Sequence, residues 1–194
     1  DAPVRLSVQR GFLQFLPPEV MGSHIGAAPA HSTGRAHAME LRAGVAATGH
    51  FGLELDIRKL DPNDRLTVKS WMDFYKSARD FIHAGDTWLG EAGDGVLWQA
   101  HGSPAEFLLF VFRIDPTAER YAPAIRMPMA DPGRRYHVSV AEGWQRRGWM
   151  TGGGFFLALA GGGAEIDGAW LKEAGLPLPP MLAESAVVFR IRAL

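Results

Sequence analysis

The segment "HFGLELD", His50–Asp56, is followed by Asp61-Pro62 and then by "NDRLTVKSWMDFYKSARDFIHAG", which runs to Gly85. The first piece reads as a short strand. Pro62 after Asp61 suits the first turn of a longer helix, where the N–H that proline lacks has no partner anyway. Trp71, Tyr75, Ala78 and Ile82 then share one helical face, and Gly85 ends the element. Upstream, "RAHAMELRAGVAATG" (residues 35–49) reads as an Ala-rich helix with Gly49 as its C-terminal cap, and "EVMGSHIG" (19–26) as another short strand. "APVRLSVQRGFLQFL" (2–16) fits a helix stopped by Pro17 and Pro18, with Leu6, Val8, Phe12 and Phe15 as its apolar positions. The order helix, strand, helix, strand, helix is that of parallel β/α units.

Beyond Gly85 the pattern changes. "GVLWQAH", "EFLLFVFRI", "PAIRMPM", "RRYHVSVA", "FFLALA" and "AVVFRIRA" are apolar or alternating runs separated by Gly, Pro and Asp, the spacing of an antiparallel sandwich or barrel. Two domains are therefore expected, residues 1–85 and 86–194, with no long linker between them. The first is too small to close a parallel barrel, which takes ~250 residues for eight units. It is either a small open sheet or part of a larger barrel.

Composition narrows the function. Twenty Lys and Arg against twenty-one Asp and Glu leave a net charge of −1 over 194 residues, so nothing draws nucleic acid or an anionic membrane. Cysteine is absent, which removes thiolate metal sites and a cysteine nucleophile and fits a reducing compartment such as the cytoplasm. No apolar run reaches the ~18 residues of a membrane span. His24, His31, His37 and His50 are grouped, but without H-E-x-x-H spacing or an intervening acid they read as loop or core histidines, and no metal site is expected. Ser23 lacks the G-x-S-x-G frame of a nucleophile elbow. The clusters Gly152–Gly154 and Gly161–Gly163 lack phosphate-loop and dinucleotide spacing and read as turns flanking "FFLALA". Glu54 and Asp56, two apart, would point to one side of a strand, at the end where parallel barrels place their chemistry. The alternative is a buried ion pair of Glu54 with a neighbouring Arg and a cap by Asp56 at the chain's exit. Trp88, Trp98, Trp144, Trp149 and Trp170 fill a sandwich core or, where exposed, offer a face to a sugar ring.

Together "DAPVRLSVQRGFLQFLPPEVMGSHIGAAPAHSTGR", "FGLELD", "YKSARDFIHAGDTW" and "GAWLKEAGLPLP" resemble the C-terminal part of the family 36 glycoside hydrolases, the α-galactosidases or melibiases. The resemblance implies an α/β plus all-β chain: the closing units of a truncated (β/α)8 TIM barrel over 1–85, then a C-terminal antiparallel β-sandwich over 86–194. It also implies hydrolysis of terminal α-galactosides, as in melibiose and raffinose, with retention of configuration by two aspartates and no cofactor. Retention needs two carboxyl groups ~5–5.5 Å apart. By the same resemblance the nucleophile lies upstream of this chain, and of the acid/base motif Ser-Asp-Asn/Asp-Thr-Asp-Ala only the last two letters are present, as Asp1 and Ala2. No catalytic residue is therefore expected here, and the chain by itself should be inactive. His24 and Glu54, ending the last two barrel strands, would line or buttress the pocket, and Arg35 would anchor the loop between them. Ala30, His31 and Ser32 replace the family's Asn-His-Gln or similar, a change expected to bear on outer subsites. The expected partner is an α-galactoside oligosaccharide, with homo-oligomers in keeping with the family. The competing functions are a galactosyl-transferring enzyme of raffinose-synthase type and a non-catalytic carbohydrate-binding or assembly module.

Overall fold

A computed structural model describes residues 1–93, 95–116, 119, 121–143 and 153–194. Helix α1 (Ala2–Phe12) is capped by Asp1, whose carboxylate accepts from the Val4 N–H at 3.3 Å. It ends well before the prolines, and only part of its apolar residues turn inward. Ala2, Leu6, Gln9 and Leu13 are buried, whereas Val8 is 67% and Phe15 85% exposed. Several apolar faces compete on this helix, and neighbouring elements select among them. Arg10, from its last turn, reaches the carbonyls of Trp98 (2.6 Å) and Gly90 (3.1 Å) and so ties the helix to the second half of the chain.

Strands β1 (Gly22–Gly26) and β2 (His50–Glu54) pair in parallel, with His24 opposite Gly52 and Gly26 opposite Glu54. Helix α2 (Met39–Ala46) connects them, completing the expected β/α/β unit. The helix is shorter than its Ala-rich sequence suggests, and Ala47 rather than Gly49 closes it. Gly49 serves a close approach instead: a Cβ there would lie 2.7 Å from the Met21 carbonyl at the entrance to β1. Helix α3 (Pro62–Ala84) matches its sequence closely. The Asp61 carboxylate accepts from the N–H groups of Asn63 (2.8 Å) and Asp64 (3.0 Å), and Trp71, Tyr75, Ala78 and Ile82 are buried together with Val68.

After Gly85 alone, β3 (Asp86–Gly93), β4 (Val96–Ser103), β5 (Glu106–Arg113), β6 (Arg135–Glu142), β7 (Ala164–Asp167) and β8 (Ser185–Ala193) form one antiparallel sheet in the order β3-β4-β5-β8-β6-β7. The antiparallel character is as expected and is consistent with a β-sandwich domain. Among the described residues all six strands lie in this single sheet.

Four segments depart from expectation. "FFLALA" is not a strand but helix α4 (Gly154–Gly161), because an apolar run without polar interruption carries no period to separate the two states. Gly162 and Gly163, at φ of 146° and 109°, then turn the chain into β7, while Gly153 is the N-cap of α4. "PAIRMPM" contributes only a bridge from Ile125 to Leu176. The glycine-rich β3 and the short β7 were not legible as strands. Gly152, Trp144 and Trp149 lie outside the described residues.

Strand β5 is central and buried on both faces, which accounts for its uninterrupted "FLLFVF". Phe107, Leu109 and Val111 join Val187, Phe189 and Ile191 of β8 against Ile125, Met127, Leu171 and Leu176. Leu108, Phe110 and Phe112, with Ala186 and Val188, join Leu41, Val45, Trp71 and Ile82 of α2 and α3. The two halves thus share one apolar core. Gly44 of α2 sits so near the sheet that a Cβ would fall 2.4 Å from the Ala186 Cβ. Trp98 is 7% exposed and Trp88 packs beside the same core, in keeping with the core reading of these tryptophans.

Candidate functional site

Parallel pairing sends β1 and β2 out of the sheet in the same direction, so the residues at their C-terminal ends meet. His24 Nε2 contacts the Glu54 carboxylate, and Arg5 of α1 approaches the same ring, with Nη2 2.7 Å from Nε2 and Nη1 3.3 Å from Nδ1. One nitrogen cannot donate to a carboxylate and accept from a guanidinium at once. The contacts are therefore alternatives set by the tautomer. With Nε2–H given to Glu54, Nδ1 accepts from Arg5; with Nε2 unprotonated, Arg5 takes it and the Glu54 carboxylate is released. That carboxylate is 71% exposed, facing a concavity of about 280 Å³ lined also by Arg5, Gly26, Ala27, Ala30, His31 and Ser32. The altered Ala30-His31-Ser32 segment is thus part of this rim.

Arg35 lies in the loop between β1 and α2, and its guanidinium grips the Asp1 carboxylate through Nε at 2.7 Å and Nη2 at 2.6 Å. The Thr33 hydroxyl donates to the same carboxylate at 2.6 Å, and the Asp1 side chain is only 1% exposed. Asp1 is thereby consumed as an anchor. His37 stands behind it, Nε2 lying 3.4 Å from Asp1 Oδ1 without hydrogen-bond alignment, while Nδ1 lies 2.9 Å from Oε1 of Glu184. The other Glu184 oxygen accepts the Ala38 N–H at 3.1 Å, at the entry to α2. Beneath the loop, Arg42 donates to the Gly26 carbonyl and so pins the end of β1. Burial lowers the Arg42 pKa, opposed by the charge of Asp64, yet a guanidinium starts so far above neutrality that it keeps its proton.

The structure brings His24 and Glu54 together and sets Arg35 on the adjoining loop. It does not bring Asp56 to them. Strand β2 ends at Glu54, and the Asp56 side chain instead caps the following turn and pairs with Arg58 at 2.8 Å. The same-side reading of Glu54 and Asp56 fails because the strand stops first; the capping alternative for Asp56 is the one observed. Glu54, for its part, pairs with a histidine at the surface rather than with a buried arginine. Ser23 is buried, accepting from Gln9 and donating to the Val45 carbonyl at 3.3 Å, so its hydroxyl packs α1 against α2. Arg5, His37 and Glu184 were missed by sequence reasoning. Glu184 carries one backbone oddity, a φ of 58°, which no residue pattern announces.

Among the described residues no group of three or more His, Asp or Glu side chains could share a metal ion. Nor is any described helix long and apolar enough to cross a membrane.

The chain is similar to known proteins of one family. A model of the melibiase family matches residues 1–85. An α-galactosidase of Escherichia coli is 31% identical over 198 residues, an alignment covering 98% of this chain and 28% of that protein. The chain belongs to the family 36 α-galactosidases. It corresponds to their C-terminal part. AgaA of Geobacillus stearothermophilus, another α-galactosidase, is 30% identical over 142 residues, 71% of this chain and 20% of the relative. Among solved family structures, the galactosidase domain of the α-galactosidase-sucrose kinase AgaSK superposes with a TM-score of 0.82 at 26% identity, covering all of this chain and 25% of that one. AgaA in complex with raffinose gives a TM-score of 0.79 at 26% identity, again over all of this chain and 25% of the other. The chain therefore spans about a quarter of the length of the family members it matches.

Proposed function

We propose that this chain is the C-terminal portion of a retaining α-galactosidase acting on terminal α-D-galactosides of the melibiose and raffinose type, and that it does not hydrolyse them alone. Residues 1–85 supply the closing units of a (β/α)8 barrel, and residues 86–194 the β-domain packed beside it. The observation that carries the reading is the meeting of His24 and Glu54 at the C-terminal ends of two adjacent parallel strands, the end at which such barrels hold their sites. The chemistry of the rim supports a sugar-binding role. Exposed acceptors and donors of Glu54, His31 and Ser32 suit hydroxyl groups, while Arg35, Asp1 and Thr33 are spent on fixing the loop.

Carboxylate supply supports assigning the catalytic pair elsewhere. Double displacement needs one carboxylate to attack the anomeric carbon and a second to protonate the leaving oxygen and later deprotonate water. Around the concavity, Asp1 is buried under donors from Val4, Thr33 and Arg35, and Glu54 alone is open. The test is to express a longer polypeptide carrying this sequence and follow raffinose by NMR. Release of galactose first as the α-anomer is the expected result. Absence of release, or β-galactose appearing first, overturns the proposal.

A further inference from the structure

Trp170 differs from the other described tryptophans. Trp71 and Trp98 are buried, whereas Trp170, on α5 (Gly168–Glu173), is 59% exposed. It borders a concavity of about 350 Å³ whose other lining residues are Phe155, Glu165, Ile166, Asp167 and Pro177. None of these lines the His24–Glu54 rim. The concavity lies along β7, the edge strand of the sheet. Its volume falls at the small end of ordinary ligand pockets, about 300–1,000 Å³.

Two of the lining residues are carboxylates held in place by an arginine. Arg135 of β6 lies 2.9 Å from one oxygen of Glu165 and 3.5 Å from one oxygen of Asp167. The second oxygen of each carboxylate is left to accept a hydrogen bond. Phe155, Ile166 and Pro177 supply its apolar lining, and the indole gives a flat, electron-rich face.

Four ligand classes can be weighed against this surface. An anion meets two carboxylates. A purely apolar ligand would strip water from those carboxylates without replacing its hydrogen bonds. A compact cation would compete with Arg135, which already holds them. A neutral pyranose matches both parts, because its ring C–H groups stack on the indole while its hydroxyls at the ring edge donate to the carboxylates. We propose that this concavity is a second carbohydrate site, remote from the rim, which holds a hexose unit of an α-galactoside oligosaccharide with Trp170 as platform and Glu165 and Asp167 as hydroxyl acceptors. The choice of a galactoside among neutral sugars rests on the function proposed above; the stacking geometry does not.

Calorimetry and NMR titration of this chain with raffinose test the proposal directly. A single open platform should give a dissociation constant on the order of 1 mM. Shifts should centre on the Trp170 indole N–H and the amides of residues 164–170. Trp170→Ala should weaken binding at least about tenfold and Trp170→Phe by less, because a smaller ring still stacks. The spectrum of each variant reports whether it is folded. Raffinose binding unaltered in Trp170→Ala overturns the proposal, as do shifts confined to residues 24–35 and 52–54, or tetramethylammonium binding more tightly than raffinose. Maltose binding as well as raffinose overturns the galactoside assignment. Hydrolysis by a longer polypeptide plays no part in these readouts, so failure of the enzymatic reading and failure of this site are separable.

Discussion

Strands β2 and β5 stand for the two halves of the molecule. None of the five residues of β2 is buried, whereas seven of the eight in β5 are. A parallel pair with helices on one side leaves its other surfaces open, while the antiparallel sheet is covered on both faces at its centre. The β/α half is therefore stabilised from outside itself. Its helices bury Trp71, Ile82 and Val45 against Phe110, Phe112 and Val188 of the sheet, and its surface keeps Val8, Phe15 and Val20 in solvent.

If the halves share one core, Trp71→Ala should have the largest effect, costing about 3–5 kcal/mol, the range for deleting a buried aromatic. Denaturation followed by Trp88 and Trp98 fluorescence and by helical circular dichroism should show both halves failing together; separate transitions would break the picture of a common core.

A second test uses pH. His101 of β4 is fully buried beside Thr87 and Gln99, and burial, with His83 nearby, pushes its pKa down to about 3. Unfolded, it binds a proton near 6.5. The unfolded state then holds more protons than the folded one between about 6.5 and 3, and stability falls through that window as pH drops, by up to ~1.4 kcal/mol per pH unit. Above about 6.5 this contribution is fully present. His83, lowered chiefly by burial and next by the charge of His50, steepens the upper part of the loss. His101→Asn should flatten the profile measured by urea denaturation at several pH values, and an unchanged slope would place the sensitivity elsewhere.

Glu184 crosses the seam to His37 and the Ala38 N–H. Glu184→Ala should cost about 1 kcal/mol, since it takes the carboxylate from the nearly buried His37 imidazole, while the Ala38 N–H is exposed and can turn to water. Hydrogen exchange should quicken at residues 27–38 while β5 and β8 stay protected; uniform quickening would mean that the contact serves the whole fold rather than the rim. The smallest effect belongs to Phe15→Ser, expected within about 0.5 kcal/mol because Phe15 is solvent-exposed. A larger loss, read from the thermal midpoint, would show that something covers that surface.

Much of the fold was legible in local chemistry. The Asp61 cap, Pro62 at the first turn and the Trp71–Tyr75–Ala78–Ile82 stripe make α3 readable because each acts within a few residues of chain. The continuous apolar text of β5 and β8 marked strands for a similar reason. "FFLALA" failed because its residues lack a period, and the apolar positions of the first helix do not all turn inward, Leu6 being buried while Val8 is exposed.

The rim was half legible. His24, Glu54 and Arg35 stood out as strand-end and loop residues of a family motif. Asp56 misled because one residue of strand length decides whether two carboxylates share a side.

By itself, then, the sequence determined the succession of parallel β/α units and an antiparallel sheet, the Asp61 cap of α3, and the family. Tertiary structure alone decided which apolar faces turn inward, that Arg5 meets His24, and that Glu184 reaches His37 across 147 residues of chain. Such contacts depend on how whole elements pack, and packing couples residues through space at distances along the chain that no local pattern records.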